Sequence, residues 1–340
     1  MSARAFIAGC AGLVLSAEER AFFREADPFG FILFRRNVGS PDQVRALTAA
    51  LRDAVGRANA PVLIDQEGGR VQRLGPPHWP RYPAGRAYGR IVRDAEASGR
   101  DPAWLGARLI AHDLRDLGID VDCLPVLDVP VPGSHDIIGD RAYAEDPDEV
   151  ARLGGHAAAG LLAGGVLPVV KHVPGHGRAG SDSHEALPRV SALLDDLRAR
   201  DFRPFRALAH LPVAMTAHVV YEAIDPDGPA TTSARVISTI VRGEIGFDGL
   251  LLTDDLSMKA LSGDFRDRAE AAFRAGCDVA LHCNGDLAEA RRVAEGSPRL
   301  AGRSLRRAEA ALALVCREPE DDFDPVDARL ALETALSQAA

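Results

Sequence analysis

Eight short apolar runs recur along this 340-residue chain, and most are followed by a polar or glycine-bearing loop. Each run is continuous in its apolar residues, which is typical of parallel strands that are buried on both faces. The runs occupy residues 5–8, 30–34, 61–64, 121–126, 167–170, 213–216, 249–253 and 278–282. They predict eight strands of a parallel sheet.

Stretches with helical periodicity separate most of these runs, and several begin with a capping signal such as Ser40-Pro41-Asp42. Examples are residues 42–55, 101–117, 147–163, 192–209 and 265–275. Eight strands alternating with helices are what closes a (β/α)8 barrel. We therefore predict an α/β fold, a single (β/α)8 TIM-type barrel over residues 1–316.

The chain after the barrel has a different character. No linker or break in composition precedes Arg317, whereas residues 317–327 are acidic and contain two prolines. We expect residues 317–340 to form an acidic tail with a short helix over 328–336, and no second domain. The sequence leaves open whether the tail is disordered, packs on the barrel or packs on a neighbouring molecule.

The composition argues against several classes of protein. The formal net charge is −9 and no basic run interleaved with aromatic residues occurs, which argues against a nucleic-acid partner. The five cysteines are odd in number and form no Cys-x-x-Cys pair, as expected of reduced thiols. No apolar run approaches the roughly 20 residues that a transmembrane helix needs. We expect a cytoplasmic protein with no membrane partner.

Charged residues collect where the predicted strands end. In a barrel, the carboxyl ends of the strands meet at one mouth, where active sites lie, so these residues predict a polar pocket for a small molecule. The lysine among them is one of only two in the chain. The residues are Asp65 to Arg73 after the third strand, Asp128 and Asp140-Arg141 after the fourth, Lys171-His172 after the fifth, His218 after the sixth and Asp254-Asp255 after the seventh.

The seventh strand carries a candidate nucleophile. A carboxylate at the end of an apolar strand can attack an anomeric carbon and form a covalent glycosyl-enzyme. The same residue type also serves as a helix N-cap or in a structural ion pair. For Asp255 we favour the structural role, whereas for Asp254 the residues alone leave both roles open.

The loop after the fifth strand carries a candidate acid/base. In Asp182-Ser-His184, a carboxylate that meets one ring nitrogen would fix the tautomer, and the other nitrogen could exchange a proton with a leaving oxygen. An exposed loop pair is the alternative. We expect His176, in Pro-Gly-His-Gly, to hydrogen-bond the loop backbone, whereas His218 either lines the pocket or packs beneath it.

At these residues the chain resembles glycoside hydrolase family 3, and within it the single-domain bacterial β-N-acetylhexosaminidases. The resemblance covers about residues 5 to 315, and one departure is Val173, where the family has phenylalanine, which affects the packing of the loop. Four motifs in the family's order carry it: Asp65-Gln-Glu-Gly-Gly-Arg-Val-Gln-Arg73, Lys171-His-Val-Pro-Gly-His-Gly177, Asp182-Ser-His184 and Thr253-Asp-Asp-Leu-Ser-Met258.

The resemblance implies a (β/α)8 enzyme that removes terminal β-linked N-acetylglucosamine with retention of configuration. By it, Asp254 matches the nucleophile, His184 the acid/base and Asp182 its partner. It implies no cofactor and no metal. The residues that match those binding the hydroxyl groups of the sugar are Asp65, Arg73, Arg141, Lys171 and His172.

The resemblance also implies a partner, a small carbohydrate from the cell wall. This is N-acetylglucosamine linked to anhydro-N-acetylmuramic acid, with or without peptide, and the process is peptidoglycan recycling. We expect a monomer or a weak dimer. Since a neutral imidazole does not repel an anionic acceptor, a phosphorolytic side activity stays open. Catalysis would depend on closure of the loop after the fifth strand, with Gly177 and Gly180 as candidate hinges.

Three alternatives are weaker. A β-glucosidase or β-xylosidase of the same family would change only the sugar, but Asp-Ser-His and the short chain favour the hexosaminidase branch. A metal-dependent barrel hydrolase would use His172, His176, His184 and Asp254 as ligands, but such enzymes usually begin with His-x-His on the first strand, which is absent here. A sugar-binding barrel without activity would lack the nucleophile or the acid.

Overall fold

Eight parallel strands close a barrel in a computed structural model, which describes residues 2–91, 101–183, 186–315 and 323–338. Each strand pairs with its sequence neighbours, and the first pairs with the last. The predicted TIM-type barrel is therefore confirmed. The strands are β1 (Arg4–Gly9), β2 (Pro28–Leu33), β3 (Val62–Ile64), β4 (Val121–Asp122), β5 (Leu167–Val173), β6 (Val213–Thr216), β7 (Leu250–Asp255) and β8 (Val279–His282).

Helices follow the strands and cover the outside of the barrel. Most begin at a side-chain cap; for example, Ser40 accepts from the backbone N–H of Gln43. The main helices are α1 (Ala17–Ala26), α2 (Pro41–Val55), α3 (Pro102–Asp116), α4 (Pro147–Ala163), α5 (in three parts, below), α6 (Val236–Glu244, π-helical), α7 (Phe265–Ala275), α8 (Leu287–Gly296), α9 (Gly302–Val315) and α10 (Pro325–Ser337), and a short helix covers Gly85–Arg90. No helix in the described part of the chain is long and apolar enough to span a bilayer.

Helix α5 differs from the unbroken helix predicted over 192–209. It consists of a short turn (Leu194–Asp196), a π-helical segment (Leu197–Asp201) and an α-helical segment (Phe202–Ala207). Pro204 lies in this stretch and has no N–H to donate to the preceding turn, which disfavours regular α-helical bonding there. Strand β4 is also shorter than predicted, because Pro125 interrupts the ladder until Val126 pairs again with Lys171.

The interior of the barrel is apolar, so charge is confined to its ends. Buried side chains from the strands fill it, among them Ile7, Leu63, Val169 and Leu252. This packing is what stabilises the barrel, at roughly 25 cal/mol per Å² of apolar surface removed from water. Strands β5 and β7 extend past the predicted runs, which carries Lys171, His172, Asp254 and Asp255 to the carboxyl end.

The described part of the tail packs on the barrel. Helix α10 is longer than the helix predicted over 328–336 and is capped by Asp324. The Phe323 ring lies 6.4 Å from that of Trp104, and the Arg108 guanidinium lies 3.9 Å from the same phenylalanine ring. Because Leu332 is also buried, the contact with α3 is apolar as well as cationic. Residues 317–322 and 339–340 of the predicted tail lie outside the described residues.

Candidate active site

A cavity of about 330 Å³ opens at the carboxyl ends of the strands. The five residues predicted to bind sugar and Asp254 all line it, and so does His176. Strand ends that are distant in the chain therefore converge, as the barrel geometry requires. Among the described residues of the wall, Ser183 is present, whereas Asp182 and His218 are not.

Five charged side chains form a continuous series of ion pairs along the wall, the ion-pair chain Arg73–Asp65–Lys171–Glu67–Arg141. Lys171 lies in the middle, because its Nζ contacts Asp65 Oδ1 at 2.9 Å and Glu67 Oε1 at 2.7 Å. Arg73 Nη2 lies 2.8 Å from Asp65 Oδ2. Arg141 makes a bidentate pair with Glu67, with both distances 2.8 Å. Such pairs fix the geometry of their members as well as their charge.

The ion-pair chain stays charged at neutral pH. Burial alone would raise the pKa of Asp65, but Lys171 and Arg73 outweigh it and hold that pKa well below its usual range. Burial likewise opposes the effect of Arg141 and Lys171 on Glu67, yet the pKa of Glu67 is lowered. For Lys171, burial would lower the pKa, and the two carboxylates raise it instead. Three cations and two carboxylates leave one net positive charge on the ion-pair chain.

Glu67 was not singled out from the sequence, although it joins two of the predicted residues. Asp65 and Glu67 are separated by one residue in an extended segment, and alternate residues of such a segment point the same way. That spacing was the available signal. What the sequence could not supply was the partner, because Arg141 is 74 residues away.

A buried carboxylate holds the imidazole of His172. Asp128 Oδ2 lies 2.6 Å from His172 Nδ1, and Asp128 Oδ1 accepts the backbone N–H groups of His172 at 3.1 Å and of His176 at 2.6 Å. Burial opposes ionisation of Asp128, but His172, these hydrogen bonds and His176 lower its pKa to about 2. The sequence placed Asp128 at a strand end without assigning it a role.

Asp254 stands at the end of β7 with one described hydrogen bond to its side chain, from the Asp255 N–H at 2.8 Å. Burial would raise the pKa of Asp254, but His218, His172, that N–H and Lys171 together lower it. The neighbouring Asp255 is engaged differently. Its oxygens accept from Ser257 Oγ at 2.6 Å, Ser257 N at 2.9 Å and Cys283 N at 3.1 Å. Asp254 thus presents an ionised carboxylate to the cavity, whereas Asp255 holds a turn.

His218 packs beneath this strand end and is fully buried. Its Nε2 lies 3.0 Å from the carbonyl oxygen of Asp255, which can only accept, so Nε2 carries the proton. Its Nδ1 lies 2.7 Å from Thr231 Oγ1. Burial is the main cause of the lowered pKa of His218. A neutral ring with both nitrogens engaged supports the backbone under Asp254.

The first part of the loop after β5 is tied to the barrel. Tyr221 donates its hydroxyl to the Gly175 carbonyl at 2.7 Å, and Arg178 Nε pairs with Asp201 Oδ2 at 2.7 Å. Of the two candidate hinges, a Cβ on Gly177 would lie 2.0 Å from the Val129 carbonyl oxygen, whereas nothing lies within 4 Å of one on Gly180. Gly177 therefore permits close packing, whereas no close contact requires a glycine at position 180.

The end of this loop reaches the cavity at Ser183. The Ser183 Oγ lies 3.3 Å from His176 Nε2, and its carbonyl accepts the Ala260 N–H at 3.2 Å. Burial and the neighbouring His172 together lower the pKa of His176 to about 4, against the opposite effects of Asp128 and Asp254. His176 thus ties the loop in its neutral form. The candidate acid/base His184 lies outside the described residues.

Two of the four ligands of the metal-dependent alternative have one ring nitrogen each engaged by a protein group. His172 Nδ1 faces Asp128 and His176 Nε2 faces Ser183. Across the described ranges, no group of three or more histidine, cysteine, aspartate or glutamate side chains is placed to hold a metal ion.

The sequence model of the protein family described as the glycosyl hydrolase family 3 N-terminal domain matches residues 13–301 of this chain. The chain belongs to glycosyl hydrolase family 3. It is therefore a glycoside hydrolase, as the motifs predicted. A beta-hexosaminidase of Alkalilimnicola ehrlichii is 43% identical over 284 residues, which cover 81% of this chain and 79% of that protein. A beta-hexosaminidase of Pseudomonas aeruginosa is 41% identical over 276 residues, 80% of each chain.

Solved structures agree with this membership. NagZ of Neisseria gonorrhoeae, in complex with N-trifluoroacetyl-D-glucosamine, is 30% identical with a TM-score of 0.86, and the match covers 100% of this chain and 99% of that one. A family 3 β-N-acetylglucosaminidase of Paenibacillus is 32% identical with a TM-score of 0.87. There the match covers 98% of this chain and 67% of the other, which is the longer chain.

Proposed function

We propose that this family 3 glycosidase is a retaining exo-β-N-acetylglucosaminidase. The observation that carries the proposal is Asp254, an ionised carboxylate with one described hydrogen bond, facing a cavity that the ion-pair chain also lines. The relatives named beta-hexosaminidase and the gonococcal NagZ bound to a glucosamine derivative support the choice of sugar.

In the first step, Asp254 attacks the anomeric carbon as the bond from that carbon to the leaving oxygen breaks. The protonated imidazole of His184 donates its proton to the leaving oxygen, and Asp182 orients the ring and favours its charged form. The product is a glycosyl ester of Asp254. The lowered pKa of Asp254 suits this role, because only the carboxylate is a nucleophile.

In the second step, His184, now neutral, removes a proton from water. The water oxygen attacks the anomeric carbon and displaces the Asp254 carboxylate. Two inversions at one carbon give net retention. One carboxylate and one imidazole thus replace the usual pair of carboxylates.

The ion-pair chain and His172 bind the hydroxyl groups of the terminal sugar. Asp65 and Glu67 keep acceptor capacity beyond their ion pairs, and Arg73 and Arg141 keep N–H groups, so acceptors and donors both face the cavity. Because Lys171 and Arg141 are held by Glu67, the wall is ordered before the sugar arrives, and less ordering entropy opposes binding.

The natural substrate we propose is N-acetylglucosamine linked to anhydro-N-acetylmuramic acid, with or without peptide, recycled from peptidoglycan in the cytoplasm. This part follows from the branch of the family that the four motifs resemble. Hydrolysis of the purified disaccharide by the enzyme, followed by separation of the two sugars, is the direct test.

The sugar itself is tested with aryl β-glycosides of N-acetylglucosamine, N-acetylgalactosamine, glucose and xylose in parallel. We expect the highest kcat/KM for N-acetylglucosamine, and NMR should detect the β-anomer as the first product. A higher kcat/KM for the glucoside or xyloside would move the enzyme to another branch of the family. First formation of the α-anomer would contradict the double displacement.

A further inference from the structure

Asp128 lies behind the sugar-binding wall and has no solvent exposure. Its three hydrogen bonds come from one short segment, the end of β5 and the loop after it. One is made with the ring of His172, and the others come from the backbone N–H groups of His172 and His176. The carboxylate therefore has two separable effects, one on a side chain that lines the cavity and one on the loop backbone.

The contact with the ring determines where its proton lies. An ionised carboxylate can only accept, so at 2.6 Å from Asp128 Oδ2 the His172 Nδ1 must be the donor. The Nε2 atom is then the one left for the cavity that His172 lines. Around this ring stand His176 on its own loop, Lys171 on β5, His218 after β6 and Asp254 on β7.

We propose that Asp128 is a positioning residue for the glycosidase reaction: it holds the proton of His172 on Nδ1 and thereby aims Nε2 at the sugar. The inference rests on the proposed function only in assigning the sugar to this cavity. It adds a second carboxylate–imidazole pair beside the proposed Asp182–His184 pair, and this one binds the substrate and does not transfer a proton. Carboxylates that orient an imidazole in this way act through the second ring nitrogen.

Asp128→Asn separates the two effects. The asparagine oxygen can still accept the two backbone N–H groups, but its amide nitrogen is a donor and now faces the ring. His172 must then carry its proton on Nε2 and leave Nδ1 as an acceptor. We expect kcat/KM to fall by about 10- to 100-fold, by analogy with the loss of carboxylates that orient metal-binding imidazoles. The loss should fall mainly on KM, since the hydroxyl contact exists in the ground state too.

A double-mutant cycle with His172→Gln decides whether Asp128 acts through this ring. In the His172→Gln background, Asp128→Asn should change kcat/KM by less than about threefold, because the ring it positions is gone. An equal fold-loss in both backgrounds would show that Asp128 acts through the loop backbone and would overturn the proposal. So would an unchanged kcat/KM for Asp128→Asn alone.

Asp122, the last residue of β4, offers a matched control. It is also fully buried, and its Oδ1 accepts the Gln66 N–H at 2.9 Å. Burial raises its pKa well above the usual range, and Asp122→Asn keeps an oxygen that can accept the Gln66 N–H. We expect this variant to keep kcat/KM. A similar loss in both variants would mean that any buried change here disturbs the site.

Two measurements keep the outcome independent of folding and of the choice of sugar. A proton NMR spectrum should contain a far-downfield imidazole N–H signal that is absent from His172→Gln and therefore belongs to that ring. This signal should be present in the unaltered enzyme and in Asp122→Asn, and absent from Asp128→Asn. Persistence of that signal in Asp128→Asn would contradict the proposal. The kinetic cycle is run on whichever aryl glycoside the enzyme hydrolyses best, so failure of the sugar assignment leaves the cycle interpretable.

Discussion

Two buried charge clusters sit at opposite ends of this barrel, and they differ in what they leave accessible. At the amino end, Asp278 accepts from Arg242 at 2.8 Å, Ser304 Oγ at 2.6 Å, Leu251 N at 3.0 Å and Arg307 at 3.2 Å. A groove of about 750 Å³ opens nearby, but of these five residues Arg307 alone lines it. The hydrogen bonds of the cluster join β7, α6 and α9 to Asp278, the residue before β8.

At the carboxyl end, every member of the ion-pair chain lines the cavity. Beside it stands Asp254, with one described hydrogen bond to its side chain. The difference shows how one physical device, a buried ion pair, serves two purposes. Where its atoms face the protein it fixes helices to strands, and where they face a cavity we propose that it prepares a surface for the sugar, as expected of the two faces of such a barrel.

The largest expected effect at the carboxyl end is that of Asp254→Asn. We expect kcat/KM on an aryl β-N-acetylglucosaminide to fall by at least about 10⁴-fold, because an amide cannot form the glycosyl ester. Cooperative unfolding should persist, since the shape of the side chain is kept. Near-native turnover would remove Asp254 from the role of nucleophile.

Asp255→Asn is the matched control for that experiment. Its oxygens hold the turn through Ser257 and Cys283, so the change should lower the free energy of unfolding by about 1 kcal/mol. Turnover per folded molecule should be largely retained. If Asp255→Asn abolished turnover instead, the assignment of the two neighbouring carboxylates would be reversed.

The next largest effect tests the loop after β5 as part of the carboxyl end. His184→Ala should reduce kcat by about 10²- to 10⁴-fold on substrates with poor leaving groups, which need protonation. Aryl glycosides with acidic phenols should lose far less. Rates measured across a series of phenols would reveal this as a steeper dependence on the leaving group, and an equal loss throughout would exclude His184 as the acid.

The strands and the cavity residues could be predicted because their signals are local. A continuous apolar run indicates a buried strand, and a polar residue at its end must reach the barrel mouth. Lys171 and Asp254 can therefore be found from the sequence. The sugar-binding role of Lys171 and the nucleophilic role of Asp254 remain predictions. The sequence predicts one unbroken helix over 192–209, because apolar periodicity alone does not distinguish α from π hydrogen bonding near Pro204.

Glu67 and Asp128 could not be assigned in the same way. Each acts by pairing with residues that are distant in sequence: Glu67 with Arg141, 74 positions away, and Asp128 with His172, 44 positions away. Such a pair depends on which strands become neighbours and on the rotamers at their ends. A pattern of residue types contains neither, whereas the closed barrel determines both.

A matched pair of substitutions tests the difference between the two ends of the barrel. Asp278→Asn and Glu67→Gln each neutralise a buried carboxylate between two arginines, or between an arginine and a lysine. Each should lower the free energy of unfolding by about 3 kcal/mol, because cations are left without a partner. Urea titration measures this loss.

Their effects on catalysis should diverge. Asp278→Asn should keep kcat/KM per folded molecule, whereas Glu67→Gln should raise KM, since Lys171 and Arg141 lose the group that orders them. An equal effect of both variants on KM would mean that the amino end influences the cavity, contrary to the comparison.

The smallest expected effect concerns His176, which ties the loop to the carboxyl end in its neutral form. The pKa of His176 is about 4 in the folded chain and about 6.5 when unfolded. At pH 5 the unfolded state therefore binds a proton at this residue and the folded state largely does not. Stability therefore falls as the pH drops. Between pH 7 and 5, the unaltered protein should lose roughly 2 kcal/mol more unfolding free energy than His176→Gln. His210→Gln, at an exposed position, is the control, and parallel losses in all three proteins would mean that His176 accepts a proton without unfolding.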